Sequence, residues 1–150
     1  MSSHSPPIIV QPGEGSELRA FGDLVTVFLS GDQTGGKLAL VLDETPPGGG
    51  PPPHVHAQED ELFLVIEGRV SFLSGGKWTE VKPGSAIYLP RGTPHTFRNV
   101  GTTPCRQWII TNPSGFEKFF ARCAEEFNQP QGPDMARIVG ISREHGIEYI

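Results

Sequence analysis

Cysteine is scarce: Cys105 and Cys123 are the only two in 150 residues. Neither sits in a C-x-x-C pair, which excludes a zinc ribbon or a dithiol redox motif. Two free, partly buried thiols of a reducing compartment are expected instead. Long apolar runs are also missing. No stretch approaches the ~20 apolar residues of a membrane span, and the first residues lack the charged and apolar segments of a secretory leader. Basic clusters are absent too. Twelve Lys and Arg stand against 17 Asp and Glu, for a net charge of −5, which argues against nucleic acid and against docking on anionic membranes. There is no helix-turn-helix pattern. The glycine run 48–50 leads into prolines rather than into a helix, so it is no phosphate-binding loop. These absences leave a cytoplasmic, single-domain protein whose partner is a small molecule.

Glycine (19) and proline (15) are plentiful and spread along the chain, as in many short strands joined by tight turns. Apolar or alternating runs predict strands at 8–10, 24–29, 38–42, 62–66, 69–73, 78–81, 86–89, 95–100 and 106–111. Ser74-Gly75-Gly76-Lys77 is expected to close a hairpin. The pattern changes after Pro113. Ser114-x-x-Glu117 has the form of a capping box, and Phe116, Phe119, Phe120, Cys123 and Phe127 recur at helical spacing. That spacing predicts an amphipathic helix packed on a sheet. A second helix is expected from about Met135, capped by Asp134, with His145 placed as a cation at its C-terminus. The expectation is an antiparallel barrel or double-sheet jelly roll with a C-terminal helical cover. Its divisions are a tail and edge strand over 1–12, a β-barrel over 13–112 and a helical segment over 113–150. The edge strand at 8–10 is expected to pair with a second copy, giving a homodimer.

Five histidines are present, and three fall in one pattern: His54-Val55-His56, then His95, with Glu61 between them. Imidazole nitrogen and carboxylate oxygen suit a divalent transition metal. His54 and His56 share one face of a strand. Glu61 has the wrong parity for the same unbroken strand, so a bend through 57–60 must reset the phase; Glu59 or Asp60 are alternative ligands on residue type alone. Once the phase is reset, Glu61, Phe63 and Val65 share a face. A lone buried carboxylate there is costly unless it is paired or meets a cation. His95 belongs to a separate hairpin continued by Phe97 and Asn99. The implied pocket is lined by Phe63, Val65 and Phe97, with Phe72, Tyr88, Trp108 and Ile110 as further candidates.

Two spaced patterns carry a resemblance. Gly48, His54, His56, Glu61 and Gly68 fit G-x5-H-x-H-x4-E-x6-G, and Gly84, Pro90, Gly92, His95 and Asn99 fit G-x5-P-x-G-x2-H-x3-N. Together they resemble the two motifs of the cupin superfamily. The chain is also similar to the small single-domain cupins of the quercetin-dioxygenase-like group. The resemblance implies an all-β fold, a double-stranded β-helix (jelly-roll or cupin barrel) with C-terminal α-helices. It implies His54, His56, Glu61 and His95 as ligands of one divalent metal per subunit (Fe, Ni, Mn, Cu, Co or Zn). Glu61, the one carboxylate expected inside, would also be the catalytic base. The leading activity is a metal-dependent dioxygenase acting on a small aromatic or enolic compound. The alternatives are a metal-cupin isomerase, cyclase or lyase, or a cupin that binds a small molecule without catalysis. The flavonol-cleaving relatives have two such domains where one is seen here, so the substrate does not carry over.

Overall fold

The computed structural model describes residues 4–150; the first three residues of the expected tail lie outside them. Eleven strands and three helices follow one another: β1 (Ser16–Ala20), β2 (Asp23–Leu29), α1 (Gly31–Thr34), β3 (Ala39–Thr45), β4 (His54–His56), β5 (Asp60–Glu67), β6 (Val70–Ser74), β7 (Lys77–Val81), β8 (Ala86–Leu89), β9 (Thr96–Asn99), β10 (Cys105–Asn112), α2 (Phe116–Phe127), α3 (Met135–Glu144) and β11 (Ile147–Tyr149). The fold is mostly β, a jelly roll. Six strands run in the order β1-β2-β3-β10-β5-β8, three in the order β7-β6-β9, and β4 pairs with β11.

Strict alternation explains the large sheet. In β3 the buried residues are Ala39, Val41, Asp43 and Thr45, and in β10 they are Cys105, Gln107, Ile109 and Thr111. These two rows face each other in register, with Gln107 opposite Asp43 and Ile109 opposite Val41. On the other side of β10, Ile109 meets Phe63 and Thr111 meets Glu61. One apolar layer results, in which Phe63, Phe72 and Phe97 pack edge-on or tilted with ring centroids 5.3–5.8 Å apart. Burying each such ring contributes about 2–3 kcal/mol.

Helix α2 covers the open side of this layer with Phe119, Phe120 and Cys123. The expected capping box does not form: the N-cap is Gly115. Glu117 instead uses one carboxylate oxygen to accept the Gly115 N–H and the other to accept the Gly31 N–H, each at 2.6 Å. Its charge-assisted hydrogen bonds therefore tie α2 to α1, 86 residues earlier in the chain. Helix α3 begins as expected, with Asp134 accepting from the Ala136 and Arg137 N–H groups. His145 is its C-cap, but burial and Arg122 push its pKa down, so it does not serve as the expected cation. The expected strand at 8–10 is absent; those residues make no ladder within the chain. Both cysteines are free and buried, and burial pushes their thiols up to about 11 (Cys105) and about 12 (Cys123). No described helix is long and apolar enough to cross a membrane.

Candidate metal centre

The two histidine hairpins are locked to each other by backbone. His54 N–H donates to the His95 carbonyl and His95 N–H to the His54 carbonyl, both at 3.0 Å, while Gly92 N–H donates to the His56 carbonyl at 2.8 Å. Asn99 secures the far end. Its amide nitrogen donates to the carbonyls of Thr45 and Thr103, and its amide oxygen accepts from the Gly101 N–H. The bend at 57–60 that parity demands is present, and Glu61 re-enters on the inward face of β5.

His54, His56, Glu61 and His95 converge: each offers one ligand atom, and these atoms lie within 4.8 Å of one another. All four side chains are buried. Outside the cluster, every imidazole is held by its Nδ1. His54 Nδ1 lies 2.8 Å from the Pro52 carbonyl, His95 Nδ1 lies 2.9 Å from the Thr93 carbonyl, and His56 Nδ1 lies 2.7 Å from Glu59 Oε1. A carbonyl oxygen only accepts, so Nδ1 of His54 and His95 carries the proton. Their Nε2 lone pairs then point inward, the tautomer a metal requires.

This accounts for an anomaly at the centre. His95 Nε2 and Glu61 Oε2 are 2.9 Å apart, yet neither has a hydrogen-bond partner. Two lone-pair atoms buried face to face repel unless a proton or a metal ion lies between them. The donor set therefore fits a divalent ion, and the buried His-His-Glu-His group could hold one. The imidazoles differ in their electrostatics. Burial pulls His56 down, but its hydrogen bond to Glu59 and the charges of Glu61 and Glu59 outweigh that and raise it. Burial, helped by the other two imidazoles, pushes His54 down to about 4, which keeps it neutral. Burial opposes ionisation of Glu61, but the His95 contact and the three imidazoles outweigh it and hold the carboxyl below its usual value.

Of the two alternative ligands, Asp60 turns outward to pair with Arg91, and Glu59 stands behind His56. Substituting Glu59→Gln leaves the fold intact and is expected to weaken metal binding about 10–100-fold. Competition with a chromophoric chelator measures it; unchanged affinity would mean that the His56 ring needs no carboxylate behind it.

A cavity opens beside the cluster. Phe63 and Phe97 line it as expected, but the other five predicted lining residues do not. Val65 and Phe72 are core residues buried below it. Tyr88, Trp108 and Ile110 have the opposite strand parity. Tyr88 is 61% exposed, Trp108 packs edge-on against Phe28, and Ile110 lies between Leu40 and Leu62. Ile109 takes the inward place. The walls that sequence reasoning missed come from distant segments: Phe21, then Phe116, Phe119 and Phe120 of α2, and Ile147 and Tyr149 of β11. The aromatic repeat at 116–120 was legible as a packing stripe, and it proves to be both core cover and cavity wall.

Two carboxyl groups, Asp23 and Asp43, also line this cavity. Burial, and then the neighbouring Asp23, push Asp43 well above its ordinary value of 3.8. A raised native pKa means that the folded state keeps a proton the unfolded chain releases. Stability is then expected to fall as pH rises from about 4 toward the native value. In Asp43→Asn that part of the slope is removed, so the variant should gain on the parent as pH rises toward 8. Urea melts between pH 4 and 8 test this, and parallel profiles would refute it.

Comparison with known proteins places this geometry. A family profile for a cupin domain matches residues 41–110. The quercetin 2,3-dioxygenase of Bacillus subtilis is 25% identical over 121 residues, covering 81% of this chain but 36% of that enzyme. The chain spans about half the length of two other curated relatives, with 48% and 53% covered. Among solved structures, KdgF from a Halomonas species aligns with TM-score 0.66 and 17% identity, over 74% of this chain and 99% of that one. The polyketide cyclase RemF of Streptomyces resistomycificus aligns with TM-score 0.63 and 24% identity, over 73% and 81%. These two likenesses are of fold.

Proposed function

We propose, since a cupin-domain profile matches residues 41–110 and the chain resembles the quercetin-dioxygenase-like group, that it is a metal-dependent dioxygenase acting on a small aromatic or enolic compound. The observation that carries this reading is the bare pair His95 Nε2 and Glu61 Oε2, buried 2.9 Å apart at the head of an aromatic-walled cavity. His54, His56, Glu61 and His95 would hold one divalent ion, iron, nickel, manganese, copper, cobalt or zinc, which would supply Lewis acidity and a meeting point for substrate oxygen and dioxygen. The protein's own work is separate. Glu61, held ionised by its imidazole neighbours, accepts the proton of the substrate hydroxyl. The Nδ1 hydrogen bonds to Pro52, Thr93 and Glu59 keep the rings from turning when that charge moves. Phe63, Phe97 and the α2 phenylalanines exclude water and offer flat faces to a planar substrate. Ile8 and Ile9, both exposed, offer a short apolar segment to a second copy, and we extend the proposal to a homodimer.

Elemental analysis of untagged protein comes first, with about one equivalent of metal expected. An oxygen electrode then screens flavonols, catechols and diketones, and label from 18O2 should enter the product as both atoms. Turnover without oxygen uptake would assign an isomerase, cyclase or lyase on the same ligands. A metal-free protein that takes up none of the six ions would overturn the proposal.

A further inference from the structure

The six-stranded sheet has a second face, and it is apolar too. An antiparallel sheet with one covered face alternates apolar-in and polar-out along its strands. The outward positions here depart from that pattern. One outward row runs across the ladder as Thr26, Leu42, Trp108, Leu64 and Ala86. The next runs as Leu40, Ile110, Leu62 and Tyr88. Phe28 joins them, its ring edge-on to Trp108 with centroids 4.9 Å apart. None of these side chains is buried, and Tyr88 is 61% exposed. Trp108, Ile110 and Tyr88, which the cavity does not use, therefore stand together on the opposite side of the sheet from it.

The third outward row is charged. It carries Arg19, Glu44, Arg106 and Glu67, with Leu24 among them. The signs alternate across the sheet, and Arg106 meets Glu67 only loosely, at 3.9 Å. A row of one sign repels its own copy, whereas an alternating row can be set against its copy plus to minus. At the β1 end, Pro12 and Gly13 close a groove with Leu24, Phe28 and Leu42. The segment before Pro12 carries Ile8 and Ile9, 45% and 79% exposed, and forms no strand within the chain.

Two apolar rows over β2, β3, β10, β5 and β8 cover roughly 20 by 15 Å. A patch of that size on a monomer marks an interaction site. A specific dimer buries about 800 Å² on each partner, so the apolar rows need the charged row and segment 8–10 as their rim. An apolar centre holding an aromatic residue, bordered by charge of both signs, is the anatomy of a protein–protein contact.

We propose that this outer face docks a second copy of the chain, sheet against sheet, with Trp108 at the centre and Ile8 and Ile9 at the rim. A two-fold pairing uses one patch twice, and both the apolar rows and the alternating charges suit such self-pairing. The proposal rests on the homodimer reading and locates it, independently of any reaction. Glu61 is on the inward face of β5 and Leu62 and Leu64 are on the outward one, so the contact and the metal cluster share no side chain.

Sedimentation velocity on the full chain at micromolar concentration tests this, with twice 16.3 kDa expected. Trp108→Lys and Leu64→Lys each place a charge in the contact twice per dimer, and each should raise the dissociation constant about a hundredfold or more. Tyr88→Lys, at a site open enough to keep the fold, should raise it about tenfold or more. Circular dichroism and cooperative melting identify the variants that fold. Trp78→Lys is the control, a tryptophan 45% exposed on β7 of the three-stranded sheet, and should leave the dimer intact. A monomeric parent would overturn the face and the homodimer together. A dimer that survives the folded face variants, or that is lost in Trp78→Lys, would overturn the face and leave the homodimer standing.

Discussion

Glu61→Ala is expected to purify with less than a tenth of an equivalent of metal, and to show no oxygen uptake with any substrate the parent protein accepts. Glu61 is the single carboxylate of the cluster, with three histidines around it. Removing it takes away the one formal negative charge that offsets a dication in a buried site. Losing a partner behind a ligand already costs about 10–100-fold in affinity, so losing the charged ligand itself should cost more. His95→Ala should behave similarly, because its Nε2 is the other bare atom of the pair. Stability should fall as well. Glu61 is a carboxylate 3% exposed, and despite that burial its contact with His95 and its attraction to the imidazoles hold it below its usual value, so the folded chain gains from its ionised form. Glu61→Gln, nearly the same shape without the charge, should therefore melt below the metal-free parent. Adding metal at a thousand times its dissociation constant should then raise the parent's stability by about 4 kcal/mol and leave the variant's unchanged. Calorimetry with and without metal reads both halves. A variant that retains stoichiometric metal would show Glu61 to be a packing residue.

The demands of the metal site also explain what the sequence disclosed. The ligands were legible because chemistry fixes residue type. Imidazoles at positions 54, 56 and 95 and a carboxylate at 61 have no cheaper reason to be inward. The spacings around them are read as backbone requirements, and Gly68 shows why: a Cβ there would press on Cα and Cβ of Cys105 at 2.8 Å. Strand existence was legible from alternation. The cavity walls were not. Parity is decided by pairing register, and nothing in Arg106–Thr111 says whether Trp108 or Ile109 faces inward until β10 is set against β5 with Ile109 opposite Phe63. Phe21 and the α2 rings reach the cavity through packing between segments about a hundred residues apart, which no local window contains. The facing Asp43–Gln107 pair lies between these cases. Both residues are polar in otherwise apolar strands, a signal visible in Val41-Leu42-Asp43 and Gln107-Trp108-Ile109, but its meaning depends on the ladder that puts one across from the other.

The second large effect is expected at a residue that has no side chain, at Gly50→Ala. The loop before the first histidine hairpin is stitched to β9, with Gly48 N–H donating to the Asn99 carbonyl and Asn99 N–H to the Gly49 carbonyl, both at 2.9 Å. Gly50 follows with φ of 149°, and a Cβ there would overlap the Phe97 carbonyl oxygen and come within 3.0 Å of its carbon and 3.2 Å of Arg98 Cα. These are backbone atoms of a paired strand, so they cannot swing aside as a side chain would. Overpacking and the disfavoured φ together should cost about 3–5 kcal/mol. At this chain length that is roughly 10–15 °C in melting temperature. The strain also has a direction. To escape the overlap, the 50–54 segment must move away from β9, and that movement carries His54 away from His95, whose backbones are bonded to each other at 3.0 Å. Gly50→Ala is therefore expected to lose metal affinity as well as stability, with every ligand still present. Gly132→Ala is the control: it too has a positive φ, but nothing lies within 4 Å of its Cβ, so it should cost only about 1 kcal/mol and leave metal binding untouched. Thermal melts paired with chelator competition on the two variants separate the cases. If both melt alike and bind metal alike, the close approach of the loop to β9 is not what sets the distance between the two histidine hairpins.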